Sequence, residues 1–305
     1  MVRYILGRLL AAIPVLLGVS VVVFVVLHLI PGDVAQLIAS RSFAAVTPEQ
    51  TAQMRHQLGL DDPLWLQYLH FLTQALTGDL GRSFYTNRPV VQSILEQFPA
   101  TLSLAGAALG LSVVIGLSLG ILAAVKHNTW IDNLAMTFSL GGLSIPIFWS
   151  GLMLIYLFSV QLNWLPITGD EGWKTLILPA VTLGYDSAAF IARMVRTSVL
   201  EVLHHDYVLT ARAKGLSPRV VLGRHVMKAA LIPIVTLIGL QAGRLLGGAV
   251  IVEVVFARQG VGHLAVEAIQ YKDYSLVQGV VLLAAAIYVL VNLAVDVSYA
   301  WLNPR

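Results

Sequence analysis

Two charged residues inside long apolar stretches are the first candidates for chemistry in this sequence. Asp186 lies about ten residues into one stretch, and Arg244 lies about eight residues before the end of another. At 1.5 Å per helical residue, both charges would lie roughly 12 to 15 Å below the same surface, which allows an ion pair. Charge at membrane depth is costly and marks either a structural pair or a transport path. The two residues could therefore lock two helices together or line a path for a charged molecule.

The remaining reactive groups form neither a catalytic nor a metal-binding pattern. The chain has no cysteine, which excludes disulfides and thiolate ligands. No two of its eight histidines share an apolar stretch. The sequence also lacks a glycine-rich phosphate loop that ends in Gly-Lys-Ser or Gly-Lys-Thr. We therefore predict no catalytic residue, no bound metal or cofactor and no nucleic-acid partner, and any energy from ATP must come through partner proteins.

Six apolar stretches must position these charges. Hydrophobic residues make up 57% of the 305-residue chain and charged residues only 11%, against about 25% charged residues in typical soluble domains. Such a composition, with a mean hydropathy of +0.80, predicts a protein surrounded by lipid. We expect an all-α, multi-pass membrane protein that forms a single transmembrane domain over residues 1–305. Its six predicted spans cover about residues 9–30, 101–125, 134–160, 176–195, 229–252 and 276–301.

The distribution of lysine and arginine predicts the orientation of these spans. Basic residues concentrate on the cytoplasmic side when the N-terminus is placed inside the cell. Both termini and a loop of residues 196–228 are then cytoplasmic, and residues 31–100 form a long external insert of short helices. Within this insert, Thr47 and Gln50 predict a capping box, with Pro48 at the first helical position.

Glycines at four-residue spacing occur on two of the predicted spans. This spacing lets helix backbones approach closely, and ordinary helix packing explains it without any role in transport. The glycines are Gly106, Gly110, Gly116 and Gly120 on the second span, and Gly239, Gly243 and Gly247 on the fifth.

The cytoplasmic loop contains a short predicted helix between two capping signals. Asp206 is suited to the N-cap position and Gly215 to the position after the last turn, which leaves about eight helical residues spanning some 12 Å. Ser217 and Pro218 predict the start of a second helix, which runs toward Pro233.

The surface of this short helix is suited to contact with another protein. Ala211 and Ala213 would leave it low enough for a partner to approach closely, and Arg212 and Lys214 add charge for docking. The alternative is a solvated connecting loop whose basic residues only follow the positive-inside rule. Composition and spacing leave these two alternatives open.

The loop resembles the cytoplasmic "EAA" loop of ABC importer permeases, in the branch that includes dipeptide, oligopeptide and nickel systems. Leu209 replaces the glutamate of the wider superfamily, which the peptide branch also lacks. Shorter motifs of this branch recur in order along the whole chain. The matching residues of the loop are Asp206, Tyr207, Val208, Thr210 to Ser217, Arg219, His225, Ala230, Ile232 and Pro233. The further motifs are Pro31-Gly32-Asp33, Leu58-Gly59-Leu60-Asp61, Gly78-Asp79-Leu80-Gly81, Leu178-Pro179-Ala180, and Glu253 with Gly260 and Gly262.

The resemblance implies a type I ABC importer permease fold in the inner (plasma) membrane, most similar to the B-type subunits of dipeptide and glutathione systems. It implies as partners a second homologous permease, two cytoplasmic ATPases that use ATP, and an external peptide-binding receptor that would contact residues 31–100. The expected function is import of dipeptides, oligopeptides or glutathione, with a nickel or other small-solute permease as the alternative. A stand-alone secondary transporter is less favoured, because we find no matching inverted halves. The implied ATPase-coupling residues are Asp206, Tyr207, Thr210, Ala211, Arg212, Ala213, Lys214 and Gly215.

Overall fold

A computed structural model describes residues 2–29, 47–57, 59–168 and 172–302, which fold almost entirely into helices. Two helical stretches, Ile155–Gln161 and Val221–Val226, are π-helical. The motif Pro31-Gly32-Asp33 and Leu58 lie outside the described residues. The α-helices in chain order are α1 (Val2–Leu29), α2 (Pro48–Gln57), α3 (Leu64–Leu76), α4 (Val90–Val125), α5 (Trp130–Ser144), α6 (Ile147–Leu154), α7 (Lys174–Leu203), α8 (Asp206–Ala213), α9 (Pro218–Val220), α10 (Met227–Val255), α11 (Val261–Gln270) and α12 (Tyr274–Leu302).

Five helical runs in the described part are long and apolar enough to cross a membrane, and a sixth crossing requires a bent pair of helices. The prediction of a continuous third span is wrong, because α5 and the run Ile147–Gln161 meet at an angle of 107°. Pro146 causes this break. Proline disfavours helical backbone in the preceding residue, and Ile145 is accordingly extended, with φ −90° and ψ 125°.

Four other prolines of the described chain are accommodated inside α-helices, and two of them are Pro14 in α1 and Pro99 in α4. Pro179 lies within α7, and Pro233 lies within α10. The second helix of the loop therefore does not stop near Pro233, because Pro218–Val255 is one continuous helical run that includes the fifth predicted span. The π-helical turn Val221–Val226 lies at the start of this run.

The chain divides into two compact units. The N-terminal unit comprises residues 2–99 and 263–289, and the core unit comprises residues 100–262 and the last helix from Leu290 onward. Within the core unit, α7 is the central helix and packs against α5, α6 and α10. Half of its residues are buried, many of them small, such as Ala188, Ala189 and Ala192. Small side chains allow helices to pack closely where lipid provides no hydrophobic driving force between them.

Hydrogen bonds cap one short helix of the insert and attach another to α1. The capping box is confirmed, because the Gln50 amide donates to Thr47 Oγ1 at 3.3 Å and the Thr47 amide donates to Gln50 Oε1 at 3.0 Å. Helix α3 is tied to α1 by a hydrogen bond of 2.9 Å between the hydroxyls of Tyr68 and Ser20.

Only the second pair of glycines on α4 allows close packing within the described part. A methyl group added at Gly120 would lie 2.5 Å from the carbonyl oxygen of Ala192 on α7, and one at Gly116 would lie 2.6 Å from a side-chain atom of the same helix. A methyl group at Gly106 or Gly110 would meet no described atom within 4 Å. The close approach that the spacing predicts is thus present at Gly116 and Gly120 and absent at the first pair.

A pair of matched alanine substitutions tests this packing. Gly120→Ala should lower the free energy of unfolding by about 1–3 kcal/mol, because the new methyl group forces α4 away from the α7 backbone. Gly110→Ala should be neutral or stabilising by up to about 1 kcal/mol, since alanine favours a helix and space is available. Thermal unfolding of the detergent-extracted protein provides the measurement. Equal effects of the two substitutions would contradict the close contact between α4 and α7.

Candidate functional site

The short loop helix has the predicted length and C-terminal stop but a different first residue. Helix α8 contains eight residues. Gly215 ends it with φ +80°, and the amide of Gly215 donates to the Arg212 carbonyl at 2.9 Å, as in a Schellman motif. The N-cap is His205, and the prediction of Asp206 at that position is wrong. As the first helical residue, Asp206 still places its carboxylate near the positive end of the helix dipole.

One face of α8 is packed against its own chain. Val208 and Ala211 are buried there, and they belong to an apolar cluster with Val199, Val221 and Val226. The expectation that Ala211 offers a low surface to a partner is therefore wrong. A residue that is only 5% exposed in the isolated chain has no surface left for a second protein.

The rest of the predicted coupling set is exposed on α8 and the turn after it. Tyr207 also connects α8 to the following helical run, because its hydroxyl donates to the His225 carbonyl at 3.4 Å. The helix is therefore fixed on one side by apolar burial and is open on the other. The exposed members are Asp206, Tyr207, Thr210, Arg212, Ala213, Lys214 and Gly215.

The predicted ion pair inside the spans is present. The Arg244 guanidinium on α10 donates to Asp186 Oδ2 on α7 at 2.9 Å. It also donates to Gln241 Oε1 at 3.2 Å and lies 4.7 Å from the centre of the Phe190 ring. These three contacts orient the guanidinium from different sides. Five N–H donors are available on a guanidinium, so this arrangement does not exhaust its capacity to bind an oxygen-bearing ligand.

This ion pair lies at a cavity and remains partly exposed. The side chains of Arg244 and Asp186 are 54% and 32% exposed in the isolated chain. The cavity beside them has a volume of about 270 Å³, and its lining includes the polar side chains of Ser150, Thr182 and Tyr185. A pair of this exposure contributes little to stability. Both charged groups are accessible beside the cavity in the isolated chain.

A second ion pair was not predicted from the sequence. Asp132, at the start of α5, is 2% exposed and accepts two hydrogen bonds from the Arg196 guanidinium, at 2.7 and 2.8 Å. The amide of Asn128 and the ring of His127 complete its coordination, each at 3.1 Å. Arg196 is therefore held by a buried carboxylate on α5. The forked geometry fixes α5 to α7 beside the predicted cytoplasmic loop.

The Glu253 motif also has a structural role. Glu253 is fully buried, where Thr101 Oγ1 donates to Oε1 at 2.6 Å and the Gly262 amide donates to Oε2 at 2.8 Å. A methyl group at Gly260 would overlap this carboxylate. The two glycines therefore let the start of α11 approach and satisfy the acid. The spacing of Glu253, Gly260 and Gly262 was the available signal for this contact.

Among the described residues, no group of three or more His, Asp or Glu side chains is placed to hold a metal ion. The features with functional potential are thus a short helix between two membrane-crossing runs and an ion pair at a cavity. They define a membrane transport subunit that is coupled to a partner protein.

Solved structures support the fold of this class. The chain is similar to the membrane subunit in inward-facing conformations of the MetNI methionine ABC transporter, with a TM-score of 0.57, 21% identity and coverage of 70% of this chain and 97% of that one. It is also similar to an amino acid ABC transporter, with a TM-score of 0.54, 15% identity and coverage of 75% and 97%. At these identities the likeness concerns the fold alone.

Sequence relatives define the family. Residues 116–305 match the binding-protein-dependent transport system inner membrane component family, and residues 1–105 match the N-terminal part of such membrane components. The chain belongs to this family. It is 45% identical to the glutathione transport system permease protein GsiC of Escherichia coli (strain K12) over 100% of this chain and 98% of that protein, and 46% identical to GsiC of Salmonella typhimurium over the same shares. It is a permease subunit of an ABC importer in the inner membrane, and it works with ATPase and substrate-binding subunits.

The buried pair Asp132–Arg196 gives a prediction for stability. Arg196→Gln should lower the free energy of unfolding by about 3–5 kcal/mol, because it leaves the Asp132 charge buried and unpaired. The double variant Asp132→Asn with Arg196→Gln removes both charges and should recover much of this loss. Exposed Arg193, on the same helix, provides the control, since Arg193→Gln should change stability by less than about 0.5 kcal/mol. Equal loss in Arg193→Gln and Arg196→Gln, measured by thermal unfolding, would rule out this role.

Proposed function

We propose that this chain is one permease half of an importer for short peptides, including glutathione. The observation that carries this proposal is the ion pair between Asp186 and Arg244, partly exposed beside a cavity within a membrane-spanning bundle. Full-length similarity to glutathione permeases supports the same substrate class. A short peptide carries an ammonium group and at least one carboxylate (glutathione has two), and each sign of charge finds a complementary charge at this site.

The proposed path uses an exchange of ion partners. The peptide carboxylate would take the place of Asp186 on Arg244, and the peptide ammonium would take the place of Arg244 on Asp186. Gln241 and Phe190 would keep the guanidinium oriented during this exchange, because their contacts do not involve Asp186. Each protein side chain gains a peptide partner as it loses its protein partner. Neither protein charge is therefore left unpaired at membrane depth.

The complete transporter would contain a second, homologous permease, two ATPases that use ATP on the cytoplasmic side, and an external peptide-binding receptor. In the proposed orientation, both termini and residues 196–228 are cytoplasmic, and residues 31–100 face the receptor. The excess of lysine and arginine on the side of the 196–228 loop supports this orientation.

Helix α8 is proposed as the contact that receives force from an ATPase. Its outer face consists of Leu209, Thr210 and Ala213, while Val208 and Ala211 attach it to the bundle. A helix that is buried on one side and exposed on the other can transmit a push, because it cannot move without displacing the apolar cluster beneath it. Asp206, Tyr207, Lys214 and Gly215 would complete the contact, whereas Arg212 lies at the inner edge of the helix.

Two tryptophan substitutions separate docking from folding. Ala213→Trp should prevent association with the ATPase subunits and abolish ATP-dependent uptake, with a change in stability below about 0.5 kcal/mol, because this side chain is exposed. Ala211→Trp should itself destabilise the permease by about 1–3 kcal/mol, because it overfills a buried site. Co-purification with the ATPases and thermal unfolding are measured side by side. Normal ATPase association and uptake in Ala213→Trp would remove the outer face from the docking surface.

Neutralisation of the partly exposed pair should affect transport far more than stability. Arg244→Gln is expected to reduce peptide uptake by about 10- to 150-fold. This range corresponds to the loss of one hydrogen bond to a charged group, which contributes about 1.5–3 kcal/mol. Because an exposed pair contributes at most about 1 kcal/mol, stability should change little. Uptake is measured in vesicles that contain all subunits, with receptor-stimulated ATP hydrolysis as a check of assembly.

Exchange of the two charges distinguishes a path from a lock. A structural lock predicts that Asp186→Arg combined with Arg244→Asp restores uptake, because the pair is reformed. A substrate path predicts that uptake stays low, because each peptide terminus then meets a moved charge. Wild-type peptide uptake in both Asp186→Asn and Arg244→Gln would refute the proposed site. Uptake of Ni²⁺ without peptide uptake by the unmodified transporter would favour the nickel alternative.

A further inference from the structure

A crevice in the core unit combines aliphatic walls with two arginine side chains. Its volume is about 460 Å³. Val125 from the end of α4, Leu203 from the end of α7, and Leu216 and Leu222 after α8 contribute to its walls. The charged residues of its lining are Arg212 and Arg219. An apolar slot with paired cations matches a molecule that has an apolar chain and an anionic group.

The position of Arg212 on α8 directs it toward this crevice and away from the outer face. It follows the buried Ala211 and lies one turn after the buried Val208, so it is at the inner edge of the helix. Within the described part of the chain, no hydrogen bond or ion pair engages the guanidinium of Arg212 or Arg219. Guanidinium groups without a carboxylate partner favour an anion with several oxygen acceptors, such as a phosphate.

In the proposed orientation, the crevice lies at the cytoplasmic end of a membrane-crossing helix. Val125 ends a 36-residue helix with a mean hydropathy of 2.4 over its apolar window, and Lys126 follows directly. The headgroup layer extends about 5–8 Å beyond the hydrocarbon on each side. Val125 is 52% exposed, and Trp130, at the start of α5, is 73% exposed. Exposed tryptophan near a helix end is typical of the membrane interface.

We propose that this crevice binds an anionic phospholipid, with the phosphate between Arg212 and Arg219 and an acyl chain against Val125, Leu203 and Leu222. The site rests on the proposed orientation of the loop and is independent of the transported substrate. An ATPase segment fits it less well, because part of its wall belongs to a membrane-spanning helix and the outer face of α8 points elsewhere. A lipid bound here would brace the inner edge of α8.

Retention of lipid by the purified transport complex tests this site. Native mass spectrometry compares phosphatidylglycerol with phosphatidylcholine on the wild type and on the double variant Arg212→Gln with Arg219→Gln. The double variant should retain about thirtyfold less phosphatidylglycerol, because each basic residue near an anionic lipid contributes about a factor of five. The matched control, Arg224→Gln with Lys228→Gln, removes two exposed charges that do not line the crevice, and it should change retention less than about twofold.

Each other outcome overturns the proposal. Equal retention of the two lipids, or an equal loss in the control variant, would mean that no specific site exists. Displacement of the phosphatidylglycerol by inorganic phosphate alone would indicate a site for free phosphate. Loss of the lipid whenever the ATPases are bound would indicate that the crevice is a protein contact. Should the double variant fail to fold, the single variants Arg212→Gln and Arg219→Gln decide, with an expected loss of about fivefold each.

Discussion

The absence of water in the hydrocarbon core is the constraint on which the rest of this structure depends. Every backbone polar group at membrane depth must find a partner within the protein, which allows helices and excludes open strands. Proline removes a donor, so its position has consequences. Pro146 breaks the third crossing into two helices at 107°, whereas Pro179 and Pro233 are tolerated inside packed helices. The break places Ile145 and Ile147 in the lining of the cavity beside Asp186 and Arg244, so this constraint also shapes the candidate site.

The same constraint explains why buried acids are paired so completely. Asp132 receives a forked guanidinium, a backbone amide and a histidine ring. Glu253 receives a threonine hydroxyl and a glycine amide. Both acids join elements that are distant in sequence, and both are essentially inaccessible in the isolated chain. Such sites specify how helices pack, because any other packing would leave a charge in an apolar environment without a partner.

Sequence patterns predicted the parts of this structure that depend on local chemistry. The capping box at Thr47, the glycine stop at Gly215 and most of the spans follow from residue preferences that act within one turn. Side-chain burial could not be predicted in the same way, because it depends on neighbours far away in sequence. Ala211 is small, as a closely contacted docking residue would be. It is nevertheless buried, because the valines of its apolar cluster come partly from the next helical run. Arg196 lies near the cytoplasmic end of a predicted span, where an arginine could extend to the membrane surface. Its partner Asp132 lies 64 residues away in the sequence, so no local pattern predicts the pair.

Exposure separates the three acidic sites into different physical roles. Asp132 and Glu253 are buried and accept hydrogen bonds from protein donors in place of water, so a ligand has no route to either carboxylate. Asp186 keeps about a third of its side-chain surface open, and its partner Arg244 keeps about half. An ion pair that remains this open in the isolated chain leaves part of both charged groups accessible to a ligand or to a partner subunit. Since charge at membrane depth is costly, this open pair fits the proposed substrate path better than the two closed acids do. In the proposed exchange both charges stay paired, because a peptide offers a carboxylate to Arg244 and an ammonium to Asp186.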